Sequence, residues 1–130
     1  MAAFHEGARV LVVDDEPSIC RALQIALMRG GYQVHAVGTG ETALWLLRTE
    51  HFDCMIVDLR VPDIRGDVLF ELGASLQPHL RKNTVFTSGD SSELAHELVT
   101  ACGCPLVAKP FDLVELMSLV AGMTQRVREA

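Results

Sequence analysis

Asp14, Asp15, Asp58, Thr87 and Lys109 are the side chains whose types and spacing could do chemistry together, and Glu16 completes an acidic triplet with the first two. Each stands at or just after the end of a short apolar run: Val10–Val13 before the acidic triplet, Met55-Ile56-Val57 before Asp58, Val85-Phe86 before Thr87, and Leu106-Val107 shortly before Lys109. One carboxylate in such a place is an ordinary solvated loop or helix cap. Several at one edge are a different matter. Carboxylates gathered within a few ångströms repel by about 4 kcal/mol per close pair at an effective dielectric near 20, so they require protonation, a cationic partner or a metal. Lys109 supplies one cation. An all-oxygen set also suits Mg²⁺, which is held by one or two carboxylates together with waters and phosphate oxygens. A carboxylate with a reference pKa near 4 is ionised at neutral pH and needs no general base to act as a nucleophile. Phosphoryl transfer, which depends mainly on positioning and charge neutralisation, is the chemistry such a set could support. Asp58 would be the nucleophile and the Thr87 hydroxyl a hydrogen-bond donor to the phosphoryl group. Ser88 and Gly89 are small enough to leave the approach open.

The elements that must position these groups are legible as alternating runs. The apolar segments Val10–Val13, Val34–Val37, Cys54–Val57, Val85-Phe86 and Leu106-Val107 are mostly β-branched and nearly continuous, as in parallel strands covered on both faces. Between them lie stripes with helical spacing. Ile19, Ala22, Leu23, Ala26 and Leu27 form the first, stopped by Gly30-Gly31; Ala43, Leu44, Leu46 and Leu47 form the second. Asp67–Ser75 predicts a short third helix, cut by Gly73 and Pro78. Leu94, Leu98 and Ala101 mark a fourth, stopped by Gly103, and Leu113, Leu116, Met117 and Val120 a fifth, capped by Asp112. The order (βα)5 predicts a doubly wound α/β fold, a five-stranded parallel sheet with helices on both faces. Ligands of such sheets bind outside the carboxyl ends of the strands, which is where the reactive groups fall.

Composition narrows the classes further. The 130 residues suit one domain, and a 49% hydrophobic fraction is enough for a two-faced core. A formal charge of −6, with 11 scattered Lys and Arg, argues against a nucleic-acid surface. No apolar run approaches the ~20 residues of a membrane span, and Met1–Ala8 has no signal-peptide pattern. The expectation is a cytoplasmic protein away from membranes. Cys20 and Cys54 lie in apolar runs, and Cys102-Gly103-Cys104 lacks the second ligand pair of a zinc site, so reduced thiols are expected.

Taken together, Val10-Leu11-Val12-Val13-Asp14-Asp15-Glu16-Pro17, Asp58-Leu59-Arg60-Val61-Pro62 with Gly66, Thr87-Ser88-Gly89-Asp90 and Lys109-Pro110-Phe111 resemble the receiver domains of bacterial response regulators. The resemblance covers about Arg9 to Val127, leaving residues 1–8 and 128–130 as tails. It implies a flavodoxin-like strand order 2-1-3-4-5 and a cis Lys109–Pro110 bond. It implies phosphorylation of Asp58 from a phosphohistidine on a sensor histidine kinase or phosphotransfer protein, in a two-component relay, and slow self-dephosphorylation. Asp15 and Asp58 would ligate Mg²⁺ with the Arg60 backbone carbonyl, Asp14 would support through water, and Thr87 and Lys109 would contact the phosphoryl group. The spacing from Thr87 to Phe111 further resembles receivers fused to hybrid sensor kinases, so the chain is expected to be either a stand-alone regulator or a receiver cut from a larger protein.

One departure stands out. Many receivers carry Tyr or Phe three residues before the lysine, where it turns inward as the threonine moves; here the residue is Leu106. An aliphatic side chain cannot report by burying a ring and hydroxyl. Phe111 is the nearest aromatic substitute, although packing under the last helix is its simpler role. Val61 stands where Met is frequent, a milder change. Three rivals share parts of the pattern. A flavin-binding domain would need a Ser/Thr/Gly loop after the first strand, where Asp14-Asp15-Glu16 would repel the flavin phosphate. A haloacid-dehalogenase-type phosphatase needs a second Asp two positions after its nucleophile, where this chain has Arg60. A pseudo-receiver usually lacks the acceptor, the lysine or one of the acidic pair, all present here.

Overall fold

The computed structural model describes residues 7–89 and 93–129. Residues 1–6 of the N-terminal tail, Asp90 of the Thr87–Asp90 motif, and Ala130 lie outside the described residues. The elements are β1 (Arg9–Val13), α1 (Pro17–Arg29), β2 (Gln33–Val37), α2 (Gly40–Thr49), β3 (Cys54–Asp58), α3 (Gly66–Leu76), a 3₁₀ turn (Pro78–Arg81), β4 (Thr84–Ser88), α4 (Glu93–Cys102), β5 (Leu106–Ala108) and α5 (Leu113–Glu129). The strands form one parallel sheet in the order β2-β1-β3-β4-β5. Central β3 and β4 are buried throughout, whereas edge β2 is only partly covered. That gradient is why β3 and β4 read as unbroken apolar runs.

The core divides by sheet face. On one side Ala43, Leu46 and Leu47 of α2, Leu69 and Phe70 of α3 and Val99 of α4 pack with Leu11, Met55, Val57 and Phe86. On the other, Leu23 and Leu27 of α1 and Leu116, Val120 and Met123 of α5 pack with Val10, Val12, Ile56 and Val85. Leu106 joins the first face and Phe111 the second. Phe111 therefore packs on the wrong side of the sheet to replace an aromatic at 106.

Three expectations need correction. Gly73 does not cut α3 short. It lies inside the helix, where a Cβ would sit 3.2 Å from Leu47 Cδ1 and 3.3 Å from Met55 Cε, so its missing side chain lets α3 approach β3 and α2 closely. The stop comes at Leu76, and Pro78 opens the 3₁₀ turn. β4 is longer than Val85-Phe86, because the buried Thr84 hydroxyl donates to Leu80 O at 2.7 Å and can be covered without loss. On α4 the inward residue is Val99, with Leu98 half-buried and Ala101 exposed; the side chain of Leu94 lies outside the described residues.

Helix ends follow local chemistry. Gly31, at φ 93°, and Gly103, at φ 75°, provide left-handed turns after α1 and α4. Asp112 caps α5 by accepting from Val114 N at 2.8 Å. The N-terminus of α2 is held from outside: Asp63 accepts from Gly40 N at 2.8 Å and Glu41 N at 2.9 Å, and Ile64 occupies the space a Gly40 Cβ would need. The Gly40 amide bond, followed by that of Glu41, holds the Asp63 carboxyl below its ordinary value of 3.8. A group depressed in the folded state stabilises above its unfolded value, and the contribution is lost as pH falls through the folded one. Asp63→Ala should therefore melt below wild type by a constant margin from neutral pH down to about 4, a margin that closes at lower pH. A margin unchanged into strong acid would show that the carboxylate is not the cap.

All four cysteines are free thiols. Burial raises each above its ordinary value, Cys54 to about 12 and Cys104 to about 11. They are therefore protonated at neutral pH. Among the described residues no helix is long and apolar enough to cross a membrane.

Candidate functional site

β1 delivers Asp14, β3 ends on Asp58, β4 carries Thr87 and Ser88, and Lys109 follows β5. β1 and β3 are neighbours, and β4 separates β3 from β5. Strands lie ~4.8 Å apart, so only a side chain as long as lysine's can cross β4 to reach β3 and β1. Lys109 does so. Its backbone N–H donates to Ser88 O at 2.8 Å, and its Nζ lies 2.9 Å from Asp58 Oδ2, 2.8 Å from Asp14 Oδ2 and 2.9 Å from Glu16 Oε1. The Lys109–Pro110 bond that follows is cis, as the resemblance implied.

Both buried aspartates are held alike. Asp14 Oδ1 accepts from Glu16 N at 2.9 Å, and Asp58 Oδ1 accepts from Arg60 N at 3.0 Å. Each carboxylate thus bonds the amide two residues on, an Asx turn, and presents its other oxygen to the ammonium. Asp14 is 2% exposed and Asp58 4%. Burial raises the Asp14 pKa, with the charge of Asp58 adding to it and Lys109 opposing. For Lys109, burial acts downward but is outweighed by the three carboxylates of Asp14, Glu16 and Asp58 around it, so its pKa is raised.

Thr87 lies beside Asp58 in the β3–β4 register and is buried, and Leu59 N donates to Thr87 O at 3.0 Å. Among the described residues, a Cβ added to Gly89 would meet nothing within 4 Å. Gly66 has the opposite environment. A Cβ there would lie 2.5 Å from Asp58 O and 2.7 Å from Leu59 Cα, while Gly66 N donates to Leu59 O at 3.0 Å. Backbone cannot yield as a flexible side chain can. Gly66→Ala should therefore lower stability by about 1–3 kcal/mol and displace the Asp58 backbone, visible as chemical-shift changes across residues 57–60. An unaltered melting curve and spectrum would refute the close approach.

Asp14, Asp58, Thr87 and Lys109 are thus brought together. Asp15 is not in the closest acidic group; it is exposed. That group is Asp14, Glu16 and Asp58, with one oxygen from each within 4.8 Å of the others. Extended backbone at Glu16 (φ −91°, ψ 111°) explains the choice, because residues two apart share a side in extended chain. This alternation was the available signal for Glu16, which sequence reasoning noted but did not place in the site. Arg60, also exposed, touches Asp58 through its amide, so no acid occupies the position a dehalogenase-type phosphatase requires. Three carboxylates offering hard oxygen donors fit a divalent cation such as Mg²⁺ and not a thiophilic metal. Clefts of about 550 Å³ over α4 and about 420 Å³ between the turn after α1 and α5 are lined by other residues.

The model of the response regulator receiver domain family matches residues 10–121. Among curated proteins, the chain is 32% identical over 114 residues to the regulatory protein AtoC of Escherichia coli, covering 86% of this chain and 24% of AtoC. It is 38% identical over 120 residues to the transcriptional regulatory protein KdpE of Mycobacterium tuberculosis, covering 90% and 51%. The chain therefore spans a quarter to a half of these relatives. Among solved structures, a CheY-like receiver domain protein from Methanospirillum hungatei superposes with TM-score 0.84 at 24% identity, covering 95% of this chain and 98% of that one. A response regulator from Burkholderia pseudomallei, solved with a phosphorylated aspartic acid, calcium ion and citrate, superposes with TM-score 0.78 at 25% identity, covering 94% and 71%.

Proposed function

Since the chain belongs to the response regulator receiver domain family, and is a regulatory domain of two-component signalling, we propose that Asp58 is its phosphoacceptor, with residues 9–127 as the working unit. The observation that carries this is the Lys109 ammonium, 2.9 Å from the Asp58 carboxylate and 2.8 Å from that of Asp14 at the carboxyl edge of the sheet. The Burkholderia relative, which carries a phosphorylated aspartic acid, supports the same chemistry.

The donor is a phosphohistidine on a sensor kinase or phosphotransfer protein. An Asp58 oxygen forms the new P–O bond as the donor P–N bond breaks, and the imidazole leaves with the electron pair. Lys109 meets the charge on the phosphoryl oxygens, and the Thr87 hydroxyl donates to one of them. Asp58 and the Arg60 carbonyl would hold Mg²⁺ together with Asp15, whose exposed carboxylate would have to turn toward them, and Asp14 would act through water. When bound, the ion supplies positive charge that offsets the phosphoryl oxygens. Thr87 and Lys109 shift on phosphorylation and alter the surface offered to a partner protein. With Leu106 in place of an aromatic, that change is carried by aliphatic packing. Slow self-dephosphorylation and a cytoplasmic location complete the reading.

Incubation with acetyl phosphate and Mg²⁺, followed by intact-mass measurement, tests it. A gain of one phosphoryl group is expected; no gain, with Mg²⁺ binding shown separately, would leave only an interaction module of the same fold.

A further inference from the structure

The ammonium of Lys109 has three N–H donors, and three carboxylates stand 2.8–2.9 Å from it. Its hydrogen bonds go to Glu16 Oε1 and Asp58 Oδ2, both at 2.9 Å, while Asp14 Oδ2 pairs with it by charge without a hydrogen bond. With three carboxylates crowded around one ammonium, a phosphoryl oxygen that comes to the lysine displaces one of them. Asp14, 2% exposed, would be left with a poorly compensated oxygen in the interior. Asp58 is the reacting group itself. Glu16, with its side chain 55% exposed, can exchange the lysine for water.

The backbone around Glu16 points the same way. Glu16 occupies the N-cap position of α1, yet its side chain makes no capping bond. Its amide is fixed to Asp14 Oδ1 at 2.9 Å, and its carbonyl accepts from Ile19 N and Cys20 N, both at 3.1 Å. The base of the side chain is thus anchored while its carboxylate is committed to Lys109. We propose that Glu16 is a positioning residue, which restrains Lys109 before phosphorylation and is the partner that Lys109 gives up when Asp58 carries a phosphoryl group. This rests on the acceptor role of Asp58.

Glu16→Gln frees one donor in advance and removes a negative charge from the path of an incoming anion. With acetyl phosphate, an Asp58 oxygen bonds to phosphorus as the acetyl O–P bond breaks and acetate leaves with the electron pair. That reaction should run about two- to fivefold faster in Glu16→Gln, the scale of an exposed ion pair.

The deciding measurement is hydrogen exchange of the Lys109 ammonium by ¹⁵N NMR, without Mg²⁺ or phosphodonor. Exchange should quicken in Glu16→Gln and also in Glu16→Asp, which keeps the charge but shortens the reach; both should melt like wild type. Unchanged exchange in both variants overturns the proposal. So does weakened Mg²⁺ binding by Glu16→Gln with unchanged exchange, which would make Glu16 a metal ligand. Wild type failing to gain a phosphoryl group would instead overturn the acceptor reading and the release step with it, while exchange still reports separately on Glu16's hold over Lys109.

Discussion

Asp58→Asn is expected to abolish phosphorylation altogether while leaving the fold intact. The amide matches the carboxylate in size, and its oxygen can still accept from Arg60 N, now at 3.0 Å, so the local turn survives. What disappears is the charged oxygen that attacks phosphorus. An amide oxygen is too weak a nucleophile to substitute for it. Stability should change little, because the lost attraction to Lys109 is offset by relief of repulsion from Asp14. Intact mass after incubation with acetyl phosphate and Mg²⁺ gives the answer. Any phosphoryl gain by the variant would place the acceptor elsewhere.

Lys109→Met should have the largest effect on stability. It keeps a long side chain across the sheet edge but leaves Asp14 and Asp58, both nearly covered, without their shared counter-ion. Breaking a buried pair by removing one partner costs about 3–5 kcal/mol, and partial exposure of Lys109 favours the lower figure. A loss of about 3 kcal/mol lowers the melting temperature of a domain this size by roughly 10 °C. Mg²⁺ should restore part of it, since a divalent cation neutralises the same oxygens.

The pH dependence follows from two raised pKa values. That of Lys109 exceeds its ordinary 10.5, so its contribution is fully present below 10.5 and lost as pH rises through the folded value. That of Asp14 exceeds 3.8, so falling pH protonates it in the folded state and removes the need for a cation. The gap between wild type and Lys109→Met should be widest between these limits and close at both ends. A gap independent of pH would be incompatible with this account. The folded variant should also lose the spectral change that accompanies phosphorylation.

Sequence reasoning reached the sheet because burial on both faces leaves continuous runs such as Cys54–Val57. It missed what depends on a partner outside the local run. Thr84 looks unsuited to a buried strand until Leu80 O accepts from it, and Gly73 looks like a break until Leu47 and Met55 are seen against the helix. The site was legible for a similar reason: Asp14, Asp58, Thr87 and Lys109 each fall at a strand end. Their exact partnership was less so. Spacing along the chain does not reveal that Lys109 crosses β4, or that its third contact is Glu16 while Asp15 faces solvent. Nor could it assign Leu106 and Phe111 to opposite faces of the sheet, which decides that one cannot do the other's work.

The pairing frame of β3 and β4 places Asp58 beside Thr87, and it is set at the far end by Met55 N donating to Asn83 O at 3.0 Å. A slip of one residue in that frame would turn the Thr87 hydroxyl to the opposite surface and bring a neighbouring side chain into its place. Lengthening or shortening the Lys82-Asn83 connection by a single residue is therefore an error of alignment at the acceptor, felt several residues away and at the other edge of the sheet.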